Sequence, residues 1–370
     1  MSILSAQEAA GVTAPLAQAT TLPPRAYTDP DIFRRETVTL FEREWVCVAR
    51  AEQVADIGDY LCVDLLNQPL LIVRQKDRTI SAMSSVCLHR AMPVAEGAGN
   101  AAHFSCPYHL WKYGLDGRLI SAPMMEGVSD FPPPGCRLPA VACEVWQGFV
   151  FVNLNLQAAP LAPRLRELSL MLADYQLGEL AIGGTLEFDS PWNWKLLVEN
   201  FMEAYHHIGP HMNTFQPVYP AKDAYVEADP DHLWSALHMP SEFPREADNL
   251  PLLPGLPPGQ HHLMACLVSP TLLFAPGDTM VAWYQLLPEA VDRMTLRIHI
   301  LVHPDTAADA GYAEALAEML AAVRFVHEED IAVNAGPWRG VRAPLAKAGR
   351  LSLHEAAIWH MNQFWAERVL

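Results

Sequence analysis

The rhythm of apolar and polar positions changes several times along this chain. Within residues 26–46, Phe33, Val38, Leu40 and Phe41 follow Asp29 and Asp31, which predicts a helix opened by one of the two aspartates. From about 46 to 155 the texture becomes short β-like runs, clearest at 60–65, 70–74 and 148–154, divided by turn residues as in a small antiparallel β domain. The segment SDFPPPGCRLP must be extended or turning, because consecutive prolines lack the N–H groups a helix interior uses.

After Leu161 the text turns helical over 163–175, with a strand candidate at 184–188 and a helix from Trp192 to about His207. Strand candidates recur between roughly 220 and 303, clearest at 280–287 and 294–302. Two helices close the chain, one over about 311–333 and one starting at Ser352, where Ser352 and Glu355 form a capping-box pattern. The expected architecture is an all-β module followed by an α+β domain. Its divisions are a leader and N-terminal helix over 1–40, the β module over 41–158 and the α+β domain over 159–370.

Composition narrows the class. Half of the 370 residues are hydrophobic (51%), enough for a sizeable core. No apolar run approaches the ~20 residues a bilayer span needs. The first twenty residues lack a basic segment followed by an apolar core, so they read as a flexible leader and the expected location is cytoplasmic. A formal net charge of −17 argues against binding nucleic acid, whose phosphates such a surface repels. The seven cysteines are odd in number and scattered, which suits metal binding better than a disulfide framework.

Two constellations carry chemistry. The first is Cys87-Leu88-His89, sixteen residues, then Cys106-Pro107-Tyr108-His109. A Cys₂His₂ zinc site usually groups cysteine with cysteine and histidine with histidine, whereas here each short loop supplies one of each. Mixed loops fit a [2Fe–2S] cluster with Cys87 and Cys106 on one iron and His89 and His109 on the other. The second is the stretch Glu199 to His211, with three histidines and two carboxylates in thirteen residues. Two histidines and a carboxylate leave positions open on Fe(II) for O₂. Spacing alone permits His207 with His211 on an unbroken helix, or His206 with His211 if the helix ends near Gly209-Pro210.

The text CLHR…CPYHLWKYGLDGRL resembles the Rieske signature, and ENFMEAYHHIGPH is similar to the metal motif of Rieske-type non-haem iron oxygenases. These are the alpha, catalytic, subunits of the aromatic-ring-hydroxylating dioxygenase family. One departure is Leu110, where many members carry glycine. The resemblance extends from TDPDIFRRETVTLFEREW to RLSLHEAAIWHMNQFW. It implies an all-β Rieske domain and a catalytic domain of helix-grip type, with an antiparallel sheet and helices. It implies that His206 and His211 are iron ligands, that His207 is not, and that Asp330, rather than Glu328 or Glu329, is the carboxylate ligand.

It further implies that Asn200 lines the iron pocket. Glu203 then bridges His206 to a cluster histidine, His109, of the neighbouring subunit in a ring-shaped trimer. Glutamate at 203, where many ring dioxygenases have aspartate, looks more like relatives acting on quaternary-ammonium or betaine-type substrates. The expected activity is O₂-dependent hydroxylation or oxidative demethylation of a small aromatic or quaternary-ammonium compound. No glycine-rich dinucleotide fingerprint follows a strand, so electrons must come from a separate NAD(P)H-dependent reductase, with or without a ferredoxin. The competing readings are an electron-transfer Rieske protein without catalytic iron and a binding protein with a structural metal. The first leaves the His-His-carboxylate set of residues 160–370 without a use. Pocket candidates are Phe215, Tyr219, Trp234, Met264, Phe274, Met280, Trp283 and Tyr284, each of which could equally be sheet core.

Overall fold

The computed structural model describes residues 3–245, 250–257 and 259–370. Residues 246–249 and 258, inside the region of expected strands, lie outside the described residues. The chain divides into two compact units: Glu42–Pro163, and Met1–Phe41 together with Arg164–Leu370.

Among the described residues the smaller unit is built on an antiparallel sheet of seven strands. Their order is Val46–Arg50, Phe149–Asn153, Ala140–Trp146, Ile80–Ser84, Gln68–Arg74, Asp59–Leu65 and Ala98–Asn100. Two hairpins in it turn on two residues with positive φ, Leu66-Asn67 and Gln147-Gly148. Such turns match the right-handed twist of the flanking strands. A smaller sheet of Phe104–Ser105, Lys112–Tyr113 and Leu119–Ser121 carries the second cysteine–histidine loop.

The larger unit holds a seven-stranded antiparallel sheet in the order Ala181–Ser190, Arg293–Val302, Val281–Ala290, Leu272–Pro276, Gln260–Val268, Trp234–Pro244 and Tyr225–Ala228. An α+β fold of antiparallel sheets and helices is therefore what the chain adopts. Of the pocket candidates, Trp234, Met264, Phe274 and Trp283 are buried core residues of the sheet.

The helices differ from the expectation in several places, among them the stretch 26–46, which is split at Asp29 into Arg25–Thr28 and Pro30–Glu36 and ends in a π-helical turn, Thr37–Phe41. The one expected from Trp192 to His207 is α-helical only over Trp194–Phe201, opened by Asn193, whose side chain accepts from the Lys195 N–H. The chain then bends at Met202 and re-enters as a 3₁₀ turn, Tyr205–Ile208. The stretch 163–175 is α-helical only over Arg166–Met171 between two 3₁₀ turns. The helix expected to stop near 333 runs Tyr312–Val341 through Pro337. Ser352 and Glu355 do form a capping box, on a 3₁₀ turn leading into Ala356–Val369.

From Ser5 onward the expected leader is folded against the rest of its unit. Ala6–Val12 is a helix opened by a Ser5–Glu8 capping box, and Val12 is buried. The C-terminal helix holds it from the other side, with Gln363 donating to the Val12 carbonyl and the Trp359 indole to that of Ala14. Further along, Glu36 is a buried anchor that accepts from Lys195 Nζ at 2.6 Å, Trp365 Nε1 at 2.7 Å and Trp194 Nε1 at 3.1 Å. Burying both charges of the Glu36–Lys195 pair is tolerable because each meets its opposite and the spare lone pairs are filled. The Tyr27 hydroxyl donates to Glu199 at 2.6 Å. Residues 27 and 36 thus clamp the helix that leads into the second constellation.

Candidate metal centres

In the smaller unit the two ligand loops share one backbone pattern. The Cys87 N–H donates to the Met92 carbonyl and the Ala91 N–H to that of Cys87; the Cys106 N–H donates to Trp111 and the Leu110 N–H to Cys106. Each loop reverses on a left-handed residue, Ala91 at φ 55° and Leu110 at φ 58°. This explains why glycine suits position 110: the left-handed region costs a side-chain-bearing residue. Leu110 is 60% exposed and so recovers little by packing.

The sulfurs of Cys87 and Cys106 sit in a core with Trp111, Tyr113, Phe104 and Leu138, and both cysteines are free. The Tyr113 hydroxyl is 3.2 Å from Cys87 Sγ and accepts the Leu88 N–H. His89 lies at the surface, its ring stacked on Trp111 at 4.8 Å and 4.5 Å from His109. His109 Nδ1 is buried with no hydrogen-bond partner among the described residues, an atom that coordination would satisfy. Buried sulfurs at one end and imidazoles nearer the surface at the other fit a [2Fe–2S] cluster held by two cysteines and two histidines. Among the described residues these four donors do not converge to single-ion distance, which disfavours the tetrahedral zinc alternative.

In the larger unit, one donor atom each from His206, His211 and Asp330 lie within 4.8 Å of one another. Asp330 Oδ1 is 2.9 Å from His211 Nε2 and 3.6 Å from His206 Nε2. The far nitrogen of each imidazole is held by a carboxylate: His206 Nδ1 by Glu203 at 2.7 Å, His211 Nδ1 by Glu329 at 2.8 Å. Holding Nδ1–H in this way turns the Nε2 lone pair inward and raises its basicity, which a metal-binding imidazole needs. Burial lowers the affinity of His211 for a proton, but Asp330 and Glu329 outweigh it and its pKa lies above the ordinary value. A divalent cation would replace that shared proton.

The bend after Phe201 produces this arrangement. Glu203 Oε2 accepts the His206 N–H at 2.9 Å, so one carboxylate caps the 3₁₀ turn and aims the ring. His207 points elsewhere: its Nδ1 donates to the Tyr219 carbonyl at 3.1 Å, and burial pushes its pKa down to about 4. Asn200 donates to Asp330 Oδ1 at 3.2 Å and accepts from Asn334, which also donates to the Asp330 carbonyl. Asn334, four residues beyond Asp330 on one helix face, was not singled out in the sequence, although that spacing was a usable signal. Glu329 belongs to this outer ring, and Thr214 completes it by donating to Glu329 at 2.9 Å.

A cavity of about 80 Å³ adjoins the triad, lined by Leu197, Phe201, Phe215, Met239, Leu263, Ala265, Ala275, Tyr284, Val326 and His327 besides the polar residues above. The sequence had offered Phe215 and Tyr284 but chose sheet residues of the opposite face elsewhere: Leu263 and Ala265 line the cavity, and Met264 between them does not.

A protein with such a β module and such a triad falls in the class of Rieske-type oxygenases, and comparison with known proteins agrees. The chain belongs to the family of ring-hydroxylating alpha subunits, whose catalytic-domain model matches residues 177–370, and a Rieske [2Fe-2S] domain matches residues 44–132. It is 30% identical to the carnitine monooxygenase oxygenase subunit of Escherichia coli (strain K12) over 60% of this chain and 57% of that one. It is 31% identical to the biphenyl dioxygenase subunit alpha of Metapseudomonas furukawaii over 51% and 44%. The aligned stretches thus span about half the length of these relatives. A quaternary ammonium Rieske monooxygenase of known structure shares the fold, with a TM-score of 0.84 at 21% identity over 99% of each chain. Among the described residues no helix is long and apolar enough to cross a membrane.

Proposed function

We propose that this chain is the oxygenase component of a two- or three-part system that oxidises a small quaternary-ammonium compound. The observation that carries the reading is the convergence of His206, His211 and Asp330 beside a largely apolar cavity, in a chain that also has a Rieske domain. His206, His211 and Asp330 would hold Fe(II), and Cys87, His89, Cys106 and His109 the [2Fe–2S] cluster. Bound Fe(II) supplies O₂ activation, fed with electrons by the cluster.

The residues of the chain do the rest. Glu203 and Glu329 fix the two imidazoles, and Asn200, held by Asn334, fixes the carboxylate. The apolar lining excludes bulk water. Phe201, Phe215 and Tyr284 face a space whose charged lining residues, Glu203 and Asp330, are acidic, with no lysine or arginine among them. Ring faces suit an alkylammonium head by cation–π attraction, and no lysine or arginine lines the space to repel it. Hydroxylation takes one oxygen atom of O₂ into a C–H bond and the other into water, using two electrons from NAD(P)H through a separate reductase. On an N-methyl group the product breaks down to a tertiary amine and formaldehyde.

The arrangement expected in solution is a homotrimer in which Glu203 links His206 to His109 of the neighbouring subunit. The test is a single turnover of the full-length protein, with the cluster reduced beforehand, on glycine betaine, carnitine and benzene. Cluster reoxidation with amine or formaldehyde release from an ammonium substrate is expected. Glu203→Gln should load both metals yet reoxidise slowly. Product from benzene alone would overturn the substrate class. Normal reoxidation and product in Glu203→Gln would reduce Glu203 to a structural acid.

A further inference from the structure

His327 stands one helical turn before Asp330 on the Tyr312–Val341 helix and lines the same cavity. It is 1% exposed, and neither ring nitrogen has a hydrogen-bond partner among the described residues. Its neighbours are rings, Phe188 with centroids 4.4 Å apart and Tyr284 at 6.2 Å. An imidazole left in this way is at odds with the rest of the site, where His206, His207 and His211 each have Nδ1 occupied. Buried polar groups without partners are rare in folded proteins, because they lose hydration and gain nothing in return. A phenylalanine would fill the same space beside Phe188 at no such cost.

We infer that His327 is a specificity-determining residue that hydrogen-bonds an oxygen atom of the substrate, carried a few bonds from the ammonium nitrogen. This rests on the quaternary-ammonium reading above and deepens it. Ligand sites of this kind are mostly apolar with a few polar groups that fix orientation. Here the other polar side chains of the cavity are committed to the metal triad, to one another or to backbone, with Tyr284 the exception. Burial pushes the His327 pKa down to about 4, so the ring is neutral and offers one N–H and one lone pair. A neutral ring adds no positive charge to repel the ammonium head, as a lysine or arginine there would. It can donate to a carboxylate oxygen, as in a betaine, or accept from a hydroxyl, as in choline.

The test measures binding to the metal-loaded, full-length protein by calorimetry. The probes are glycine betaine, choline and isobutyltrimethylammonium, the last replacing the carboxylate of glycine betaine with an isopropyl group of similar shape. Wild type should prefer an oxygen-bearing probe to the isobutyl analogue. His327→Phe should weaken that probe by about tenfold or more, the scale of a hydrogen bond to a charged or polar group. The isobutyl analogue should change by less than about threefold, within the scatter of a neutral substitution. His327→Gln, which keeps a donor and an acceptor, should recover part of the loss.

Thermal unfolding separates this role from a structural one. Removing two unpaired nitrogens from the core should leave His327→Phe as stable as wild type or more so, whereas a structural histidine would lose stability on replacement. Equal weakening of all three probes, no weakening, or a wild type indifferent to the oxygen would overturn the assignment while leaving the ammonium reading intact. A wild type that binds benzene and none of the three would remove the ammonium reading itself, and this inference with it.

Discussion

The two proposed metal centres of this chain are built on opposite plans. The cluster loops occupy residues 87–111, and each is closed by two backbone hydrogen bonds to its own cysteine. The mononuclear triad spans residues 206–330, and its carboxylate reaches the histidines only because a 30-residue helix and a short broken one pack together. A locally closed loop needs few outside contacts to place its ligands. A triad gathered across 124 residues depends on everything that fixes the two helices. The outer ring of Glu203, Glu329, Asn200, Asn334 and Thr214 answers that need.

The largest effect should come from breaking the dispersed site at one ligand. His206→Ala should empty the mononuclear site and abolish turnover while the visible [2Fe–2S] absorbance stays, because among the described residues His206 is held by Glu203 and Asp330 and by neither cluster loop. His207→Ala should retain iron, since its Nδ1 is bound to the Tyr219 carbonyl and its ring lies outside the converging group. Iron analysis with absorbance spectra checks both. Loss of iron in His207→Ala with retention in His206→Ala would restore the unbroken-helix register.

The same contrast decides what the sequence could disclose. The Cys-x-His and Cys-x-x-His loops were legible because a local motif carries its own geometry, and the matching Rieske domain falls on them. The sheet strands near 60–65, 70–74, 281–290 and 293–302 were legible from alternation and apolar runs. The break at Met202 was not, because nothing in LVENFMEAYHHI forbids helix; the turn forms when Glu203 caps the His206 N–H. The leader's order was equally hidden. It depends on Trp359, Gln363, Lys195 and Trp365, all remote in the chain. Asn334 and His327 went unnoticed because their meaning appears only when Asn200, Phe188 and the cavity lie beside them.

A second, smaller effect probes the clamp behind the triad. Burial raises the Glu199 carboxyl to about 7, against the opposing influence of the Tyr27 hydrogen bond and Lys195. A carboxyl whose folded pKa exceeds its unfolded value of 4.5 is a proton binder in the folded state. Stability therefore falls as pH rises from the unfolded pKa towards the folded one, by up to ~1.4 kcal/mol per unit and roughly 3 kcal/mol in all. Glu199→Gln keeps the acceptor for Tyr27 and removes the ionisation. Its stability should match wild type near pH 4.5 and exceed it increasingly up to pH 7. Urea unfolding at several pH values measures this, and parallel pH curves for the two proteins would show that Glu199 does not titrate in this window.

The smallest effect belongs to the locally closed site and tests how self-sufficient its loops are. Leu110 occupies a left-handed conformation, φ 58°, on a side chain that is 60% exposed. Left-handed backbone costs a non-glycine residue about 1 kcal/mol or more, while glycine forfeits part of any gain through the extra freedom of its unfolded chain. Leu110→Gly should therefore raise stability by between ~0 and ~1 kcal/mol and leave the cluster absorbance unchanged. If the loop were held by its surroundings rather than by its own backbone bonds, the side chain would matter. The variant would then lose stability despite the relief of strain. Thermal unfolding of the isolated subunit decides between these. A loss with an intact cluster would mean that the leucine side chain packs against something at the loop tip, and the division between a self-contained centre and a dispersed one would need redrawing. A gain would show that leucine persists here against the conformational preference of the backbone, at the edge of the unit where the cluster histidines approach the surface.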